Sequence, residues 1–462
     1  MNKRIYLTLL LISSVVFVNA QGITAQFMDN LPMAGYNRAS FFPKYRYSTS
    51  ITPVSNIYFE MNTSFSVKDI IYKVEDGVAH INIGDFLNGM PKVNFFNTNF
   101  NYELFHTSFK IKNNFFSVGL TSKTFAELRI PRDVFLLAWK GNGHYIGNRA
   151  SLDNIGIDMR NYNELSIGYT RNFNDAFHIG GKLKLLQGIM NVNTERSIFG
   201  ITTDTATYWL NMDYSFKMNI AGPFDTNGFE GINSPSDILG FGNFGLGFDI
   251  GGDMNINEKF NLGMSVVDIG YIQWKNNVKS YSIDNGSLSF RGIEIDTSFN
   301  FDFGDSAIKV MTDTLMEKFQ PIRSTEPFLT PLNTRVYLFA NYKINDKNKA
   351  GAIYQSRLGG KYNQMSLSLL YQHRLLKFFD INASYTMTNL GYSKIGTGFT
   401  FRIMGSHFYY VTDDIISFFL PQNAKSLSFN FGWYYVKGNV DKEKKKKKKD
   451  TAFLYKPSLL WY

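Results

Sequence analysis

The stretch Ser426–Tyr435 reads SLSFNFGWYY, with Leu427, Phe429, Phe431, Trp433 and Tyr435 on one parity and Ser426, Ser428, Asn430 and Gly432 on the other. A period of two is the strand period, so one face of this strand is bulky and apolar and the other small and polar. The pattern recurs along the chain. In SNIYFEMNTSFSV, residues 55–67, Ile57, Phe59, Met61, Phe65 and Val67 oppose Asn56, Glu60, Asn62, Ser64 and Ser66. Further strands are expected at 97–127 around the polar turn Lys112-Asn113-Asn114, at 164–173, 178–195, 207–220, 244–256 and 260–274. A regular meander follows from 334 to 412, with tight turns such as Asn345-Asp346-Lys347-Asn348.

Alternation alone does not name the solvent on either face. Composition narrows the choice. Phe and Tyr number 43 and 27, yet mean hydropathy is only -0.18. After the first 20 residues no apolar run approaches the length of a spanning helix. Outward apolar and inward polar residues that cancel in the average are the profile of a transmembrane β-barrel, and a secreted soluble β-protein is the alternative. The chain opens with Lys3 and Arg4, an apolar run from Ile5 to Val18, and Val18-Asn19-Ala20. That is the layout of a secretory signal peptide cleaved after Ala20, so residues 1–20 are assigned to it. With no cysteine in 462 residues, an exported chain holds together by pairing and packing, without disulfides or a lipidated N-terminus.

Short turns alternate with long insertions at 128–161, 221–243 and 284–332, with helices expected near Arg132–Lys140 and Ser306–Phe319. The expected fold is therefore all-β: a closed antiparallel transmembrane barrel of about 14 strands (16 as the alternative), with long extracellular loops and both chain ends in the periplasm. Residues 55–436 form the barrel. Residues 21–54, with Pro32, Gly35, Pro43 and Pro53, form either a plug inside it or a periplasmic extension. Most of the formal charge of +10 lies in the signal peptide and in residues 437–462, so the body carries no basic nucleic-acid groove.

Asp268 in MSVVDIGYIQW stands in an apolar run, where a charge on the lipid face would be costly, so it should face the lumen. Its partner there would be a basic residue of the plug, for which Arg38, Lys44 and Arg46 are the candidates. It would serve as an ion pair fixing the plug or as a substrate gate. Gly270, two residues on, points to a bulge or a close backbone approach. The run Lys444, Lys445, Lys446, Lys447, Lys448 and Lys449 cannot pack against itself. It would be a solvated linker, or a tether to the anionic inner leaflet or an acidic periplasmic partner. The motif Gly240-Phe241-Gly242-Asn243-Phe244-Gly245 enters an alternating strand instead of a helix, which argues against a dinucleotide loop. His106 and Ser108 share a strand face, but no orienting Asn follows at the right parity, and the other histidines lack metal spacing. No cofactor, metal or enzymatic activity is expected.

The segments LPMAGYNRASFFPKYRYSTSITPVSNIYFEMNTSFSVKDII, DVFLLAWKGNGHYIGN, NYNELSIGYTRNFNDAFHIGGKLKLLQG and SVVDIGYIQW resemble a large family of uncharacterised outer-membrane barrels from Bacteroidota. The resemblance spans most of residues 31–436 and is most specific at Trp139-Lys140-Gly141-Asn142-Gly143. It departs at Phe42-Pro43-Lys44, where the family has an Asn-Pro-Ala-like entry. That family is distantly like fatty-acid-uptake channels and barrel partners of type IX secretion, and it implies fold and outer-membrane location without an established activity. The function expected is a plugged channel that binds or takes up small hydrophobic molecules. The alternative is a non-transporting scaffold or accessory subunit of a secretion or assembly complex, with outer-membrane lipid and a protein docked on the tail as partners.

Overall fold

Strands that alternate and pair with their neighbours in chain order leave two open edges, and here those edges meet. A closed barrel of 14 antiparallel strands results. The computed structural model describes residues 22–75, 78–81, 83–174, 176–223, 242–290, 321–358, 364–390 and 392–439. β1 runs in two pieces, Tyr45–Ile51 and Asn56–Thr63; β2 is Val93–Ile111, β3 Asn114–Pro131, β4 Gly156–Asn172 and β5 Phe177–Thr203. β6 is Phe244–Asn255, β7 Phe260–Trp274, β8 Arg335–Lys343, β9 Asn348–Arg357 and β10 Gln364–Leu376. β11 is Phe379–Thr388, β12 Ser393–Ile403, β13 Ser406–Thr412 and β14 Ser426–Asn439. β14 pairs back onto both pieces of β1, from Tyr45↔Asn439 to Asn62↔Ser426.

The faces follow the parity. Phe431 is exposed, whereas Ser426, Ser428, Asn430 and Tyr434 of β14 are buried in the lumen. On β5, Leu183 and Leu185 face out while Lys182 and Lys184 face in, and on β10 Leu367, Leu369 and Tyr371 face out around the buried Ser368 and Leu370. A protein with its greasy side outward and its charged side inward is built for lipid. No described helix is long and apolar enough to cross a membrane. Outward rings Phe109, Phe116 and Tyr169 meet across β2, β3 and β4 near the short turns, the first pair stacked at 5.3 Å and the second tilted at 5.2 Å between centroids, as in an aromatic girdle. The turns at that rim are two to four residues long, and the long connections lie at the other.

Two differences from the sequence expectation have physical causes. The barrel begins at Tyr45, not at residue 55: Thr52–Ser55 breaks the first strand, and its Ser- and Thr-rich earlier piece hides the alternation. The expected strand at 207–220 exists as Leu210–Ala221, but it is not a barrel stave. It pairs with the far half of β5 and with Val278–Phe290, forming a sheet that extends from the long-loop rim. β5 is long enough for both jobs, so its near half pairs with β6. At that rim Arg149 bridges Asp153 at 2.9 Å and Asp213 at 2.7 Å, and its hydrogen bonds hold both carboxyls below their ordinary range. The helix expected at Arg132–Lys140 is present, preceded by the extended Pro131 and ended at Gly141, whose φ of 70° suits glycine. The signal peptide and the helix expected at 306–319 lie outside the described residues.

The assignment of faces can be tested on one strand. Leu369→Asp puts a carboxylate into hydrocarbon, at a cost of about 2 kcal/mol or somewhat less, and should lower the heat-modifiable folded fraction in liposomes. Ser366→Asp, whose side chain lines a polar cavity, should fold like the parent. Equal yields for the two would reverse the faces.

Candidate functional site

The 23 residues that precede Tyr45 in the described chain, 22–44, occupy the lumen. They form only two short elements, the helical turn Ile23–Gln26 and the 3₁₀ turn Pro32–Gly35. Their apolar side chains are almost wholly buried. Phe27 and Ile23 pack on Val267, Tyr337, Phe339, Ile353 and Leu370. Met28, Leu31, Met33 and Ala34 pack with Phe115, Tyr409, Val411 and Tyr434. Glycines in the wall let the plug backbone come close: a Cβ at Gly180 would run into the Ala39 carbonyl.

Polar anchors fix the plug's register. Thr24 donates its backbone N–H and its hydroxyl to Asp413, at 3.2 and 2.6 Å. Arg38 reaches Asp29 at 3.2 Å and the wall carboxylate Asp253 at 3.3 Å. Asp253 also accepts from Ser40 at 2.7 Å and lies 2.7 Å from His178 Nδ1, whose ring stacks on Phe42. Asp29 is paired in turn with Lys349. Ala39 N–H donates to Ser265 at 3.0 Å, and the Lys182 ammonium donates to the Gly35 carbonyl at 2.5 Å.

Above these anchors, five consecutive strands each contribute one buried charge. Lys123 of β3 meets Glu164 of β4 at 2.7 Å and Asp268 of β7 at 3.6 Å. Lys184 of β5 meets Asp249 of β6 and Asp268 at 2.6 Å each, and Glu164 at 3.9 Å. The wall is irregular here. Phe248↔Ile269 is followed by Ile250↔Val266, so Val267 and Asp268 oppose the single residue Asp249. This bulge turns Asp268 to a φ of 58°, and Asp249 accepts its N–H at 2.8 Å. Gly270 beside it is packed against the Leu246 carbonyl, the close approach its type suggested.

The sequence candidates scatter accordingly. Asp268 faces the lumen, but its partners are the wall lysines Lys184 and Lys123 and not a plug residue. Arg38 does meet a lumen carboxylate, Asp253, while Lys44 and Arg46 are exposed. Lys444, Lys445, Lys446, Lys447, Lys448 and Lys449 lie outside the described residues. Sequence reasoning passed over Lys184, Asp249, Asp253 and Asp413. The signal for the first two was there: in Lys182-Leu183-Lys184-Leu185 and Phe248-Asp249-Ile250 the charges take the inward parity. His106 and Ser108 both contact Ser48, at 3.2 and 2.6 Å. His106 stands 3.9 Å from Glu103, too far for the hydrogen bond that would orient a catalytic imidazole. Among the described residues no group of side chains has the makings of a metal site.

Residues 40–413 match a family described as a family of unknown function (DUF5723). No curated protein matches the sequence. Among solved structures, the toluene transporter TbuX of Ralstonia pickettii is 8% identical, with 89% of this chain and 94% of that one covered and a TM-score of 0.39. A FadL homologue of Pseudomonas aeruginosa is 12% identical, with 92% and 99% covered and a TM-score of 0.41. The translocator domain of the autotransporter NalP from Neisseria meningitidis is 9% identical, with 84% and 88% covered and a TM-score of 0.31.

The charge ladder predicts a strong asymmetry between mutants. Lys184→Met strands buried carboxylates and should destabilise the barrel by about 3–5 kcal/mol, read as a lower urea midpoint in liposomes. Adding Asp249→Asn should recover a large part of that loss. A single mutant that unfolds like the parent would mean the pairs do not form.

Proposed function

This chain belongs to that family of unknown function, and from that premise, which assigns no activity, we propose that it is a plugged outer-membrane channel for small molecules with an apolar body. The observation that carries the reading is what the plug covers. Most of the lumen wall is polar or charged, yet beneath the plug lie two apolar patches, one around Tyr337, Phe339, Ile353 and Leu370 and the other around Phe115, Tyr409 and Val411. Those patches are the surfaces an apolar solute would use once the plug moves aside. The plug itself contains no sheet or long helix, so its movement breaks wall contacts without unfolding a domain.

The chain has no native cysteine, which allows a clean test. Ala39 and Ser265 are joined by a hydrogen bond of 3.0 Å across the plug–wall seam, so Ala39→Cys with Ser265→Cys should lock the plug on oxidation. In liposomes, uptake of the apolar fluorophore N-phenyl-1-naphthylamine should fall at least tenfold when the pair is oxidised and return on reduction. Equal uptake in both states, or none in either, would leave a barrel that serves as a scaffold or accessory subunit.

A further inference from the structure

On the far side of Ile23 the lumen keeps a cavity of 80 Å³, and beside it another of 30 Å³. One water needs roughly 10–15 Å³ measured in this way, so the larger space holds several waters or one small molecule. Asn99 and Arg335 line both. The other basic groups on these walls are neutralised. Arg357 meets Glu127 at 3.2 Å, Lys394 meets Glu60 at 3.5 Å, Lys123 meets Glu164 at 2.7 Å and Arg160 meets Asp158 at 2.8 Å.

Arg335 differs. Among the described residues no carboxylate comes within ion-pair distance of it; its hydrogen-bond partner is the neutral Tyr337 phenol, and Glu60 and Asp268 act on it only from further away. On the same lining, the buried side-chain nitrogen of Gln364 has no hydrogen-bond partner. A guanidinium with donors to spare and an unpartnered amide donor therefore line one partly open polar space, and what the pair lacks is an anionic acceptor. Hydroxyls of Ser366, Thr386 and Tyr392 also line the space with groups that can donate or accept, and its two carboxylates are already engaged, Glu60 by Lys394 and Asp413 by Thr24. A planar guanidinium takes a carboxylate through two parallel N–H···O bonds, and the gain is larger where water is scarce.

We propose that this chamber is a binding site for a small organic carboxylate, with Arg335 as the group that recognises it and Gln364 as a second donor. The site is complete while the plug is seated, so it does not rest on the channel reading: a chamber that binds in a barrel that never opens remains a chamber.

The test uses the full chain in detergent micelles and titration calorimetry with succinate, its uncharged analogue succinamide, inorganic phosphate and chloride. Succinate should bind saturably and succinamide should not. Arg335→Gln should weaken succinate at least tenfold, and Arg335→Lys should fall between, since an ammonium cannot form the paired contact. Heat-modifiability reports folding; if Arg335→Gln does not fold, Gln364→Leu carries the test with a smaller loss of affinity. The oxidised Ala39→Cys, Ser265→Cys protein should bind as the parent does, which separates this result from the uptake assay. Absence of succinate binding, retention of it in Arg335→Gln, or equally weak heats for succinate, phosphate and chloride would each overturn the assignment.

Discussion

A backbone N–H or C=O that faces acyl chains without a partner costs several kcal/mol, and so the pairing of β14 with β1 is the contact on which the rest of the molecule depends. It joins Tyr45 to Asn439 across almost the whole described chain. Local turns can form the hairpins along the way, but none of those hairpins is stable in lipid while two edges stay open. Closure also creates the next problem. A ring of 14 strands encloses more space than its own inward side chains fill, and the enclosed space must be occupied by water, ligand or protein. Here the segment before Tyr45 folds back into it, and the same first strand that closes the ring delivers the plug to its lumen.

Which parts of this were legible in the sequence follows from how local each determinant is. Most strand faces, the tight turns and the helix Arg132–Lys140 are set by residues a few positions apart, and they read correctly, although the strand read through Val67 stops at Thr63 and Val67 opens a helical turn. Asp268 read correctly as a lumen residue because its parity and its cost in hydrocarbon are local facts. Its partners did not, since Lys184 and Lys123 lie on strands distant in sequence and are brought beside it only by the registers of β3 to β7. The split first strand was missed for a related reason. Ser48 and Ser50 are fully inward, Tyr47 and Ile51 outward, but in YRYSTSITP the small polar residues and Pro53 mask a period of two. Leu210–Ala221 is an ordinary strand by pattern; only pairing tells a barrel stave from a sheet beyond the rim.

The lumen is made of two materials with different rules. Apolar patches hold the plug by burial, which is insensitive to small rotations and tolerates substitutions of similar volume. The charged ladder is directional. Buried ion pairs seldom add net stability against apolar replacements, but they penalise any register that separates them. Because parity inverts with a slip of one residue, a misregistered β5 would carry Lys184 into lipid and leave Glu164, Asp249 and Asp268 without it. The ladder therefore acts on register choice more than on the stability of the chosen register. The plug, lying against surfaces already fixed by that choice, is free to be held more weakly.

The wall's irregularities fall where lumen groups must be aimed. A regular strand points each side chain at right angles to the sheet, which suits lipid contact but not a convergent polar site. The bulge at Asp268 rotates its carboxylate between Lys184 and Lys123 and frees its N–H for Asp249. At Thr412 β13 stops pairing with β12, and the next residue, Asp413, turns in to hold Thr24 of the plug, its own N–H satisfied by Ser428. The break at Thr52–Ser55 brings Ser55 beside Ser50 at 2.7 Å, next to the buried Glu103. Each departure removes ladder pairing from a sheet that can ill spare it, and in each the backbone or side chain released is taken up by a lumen partner. Those compensations mark bulge, early stop and break as parts of the interior's construction, and they tie the geometry of the wall to the seat of the plug.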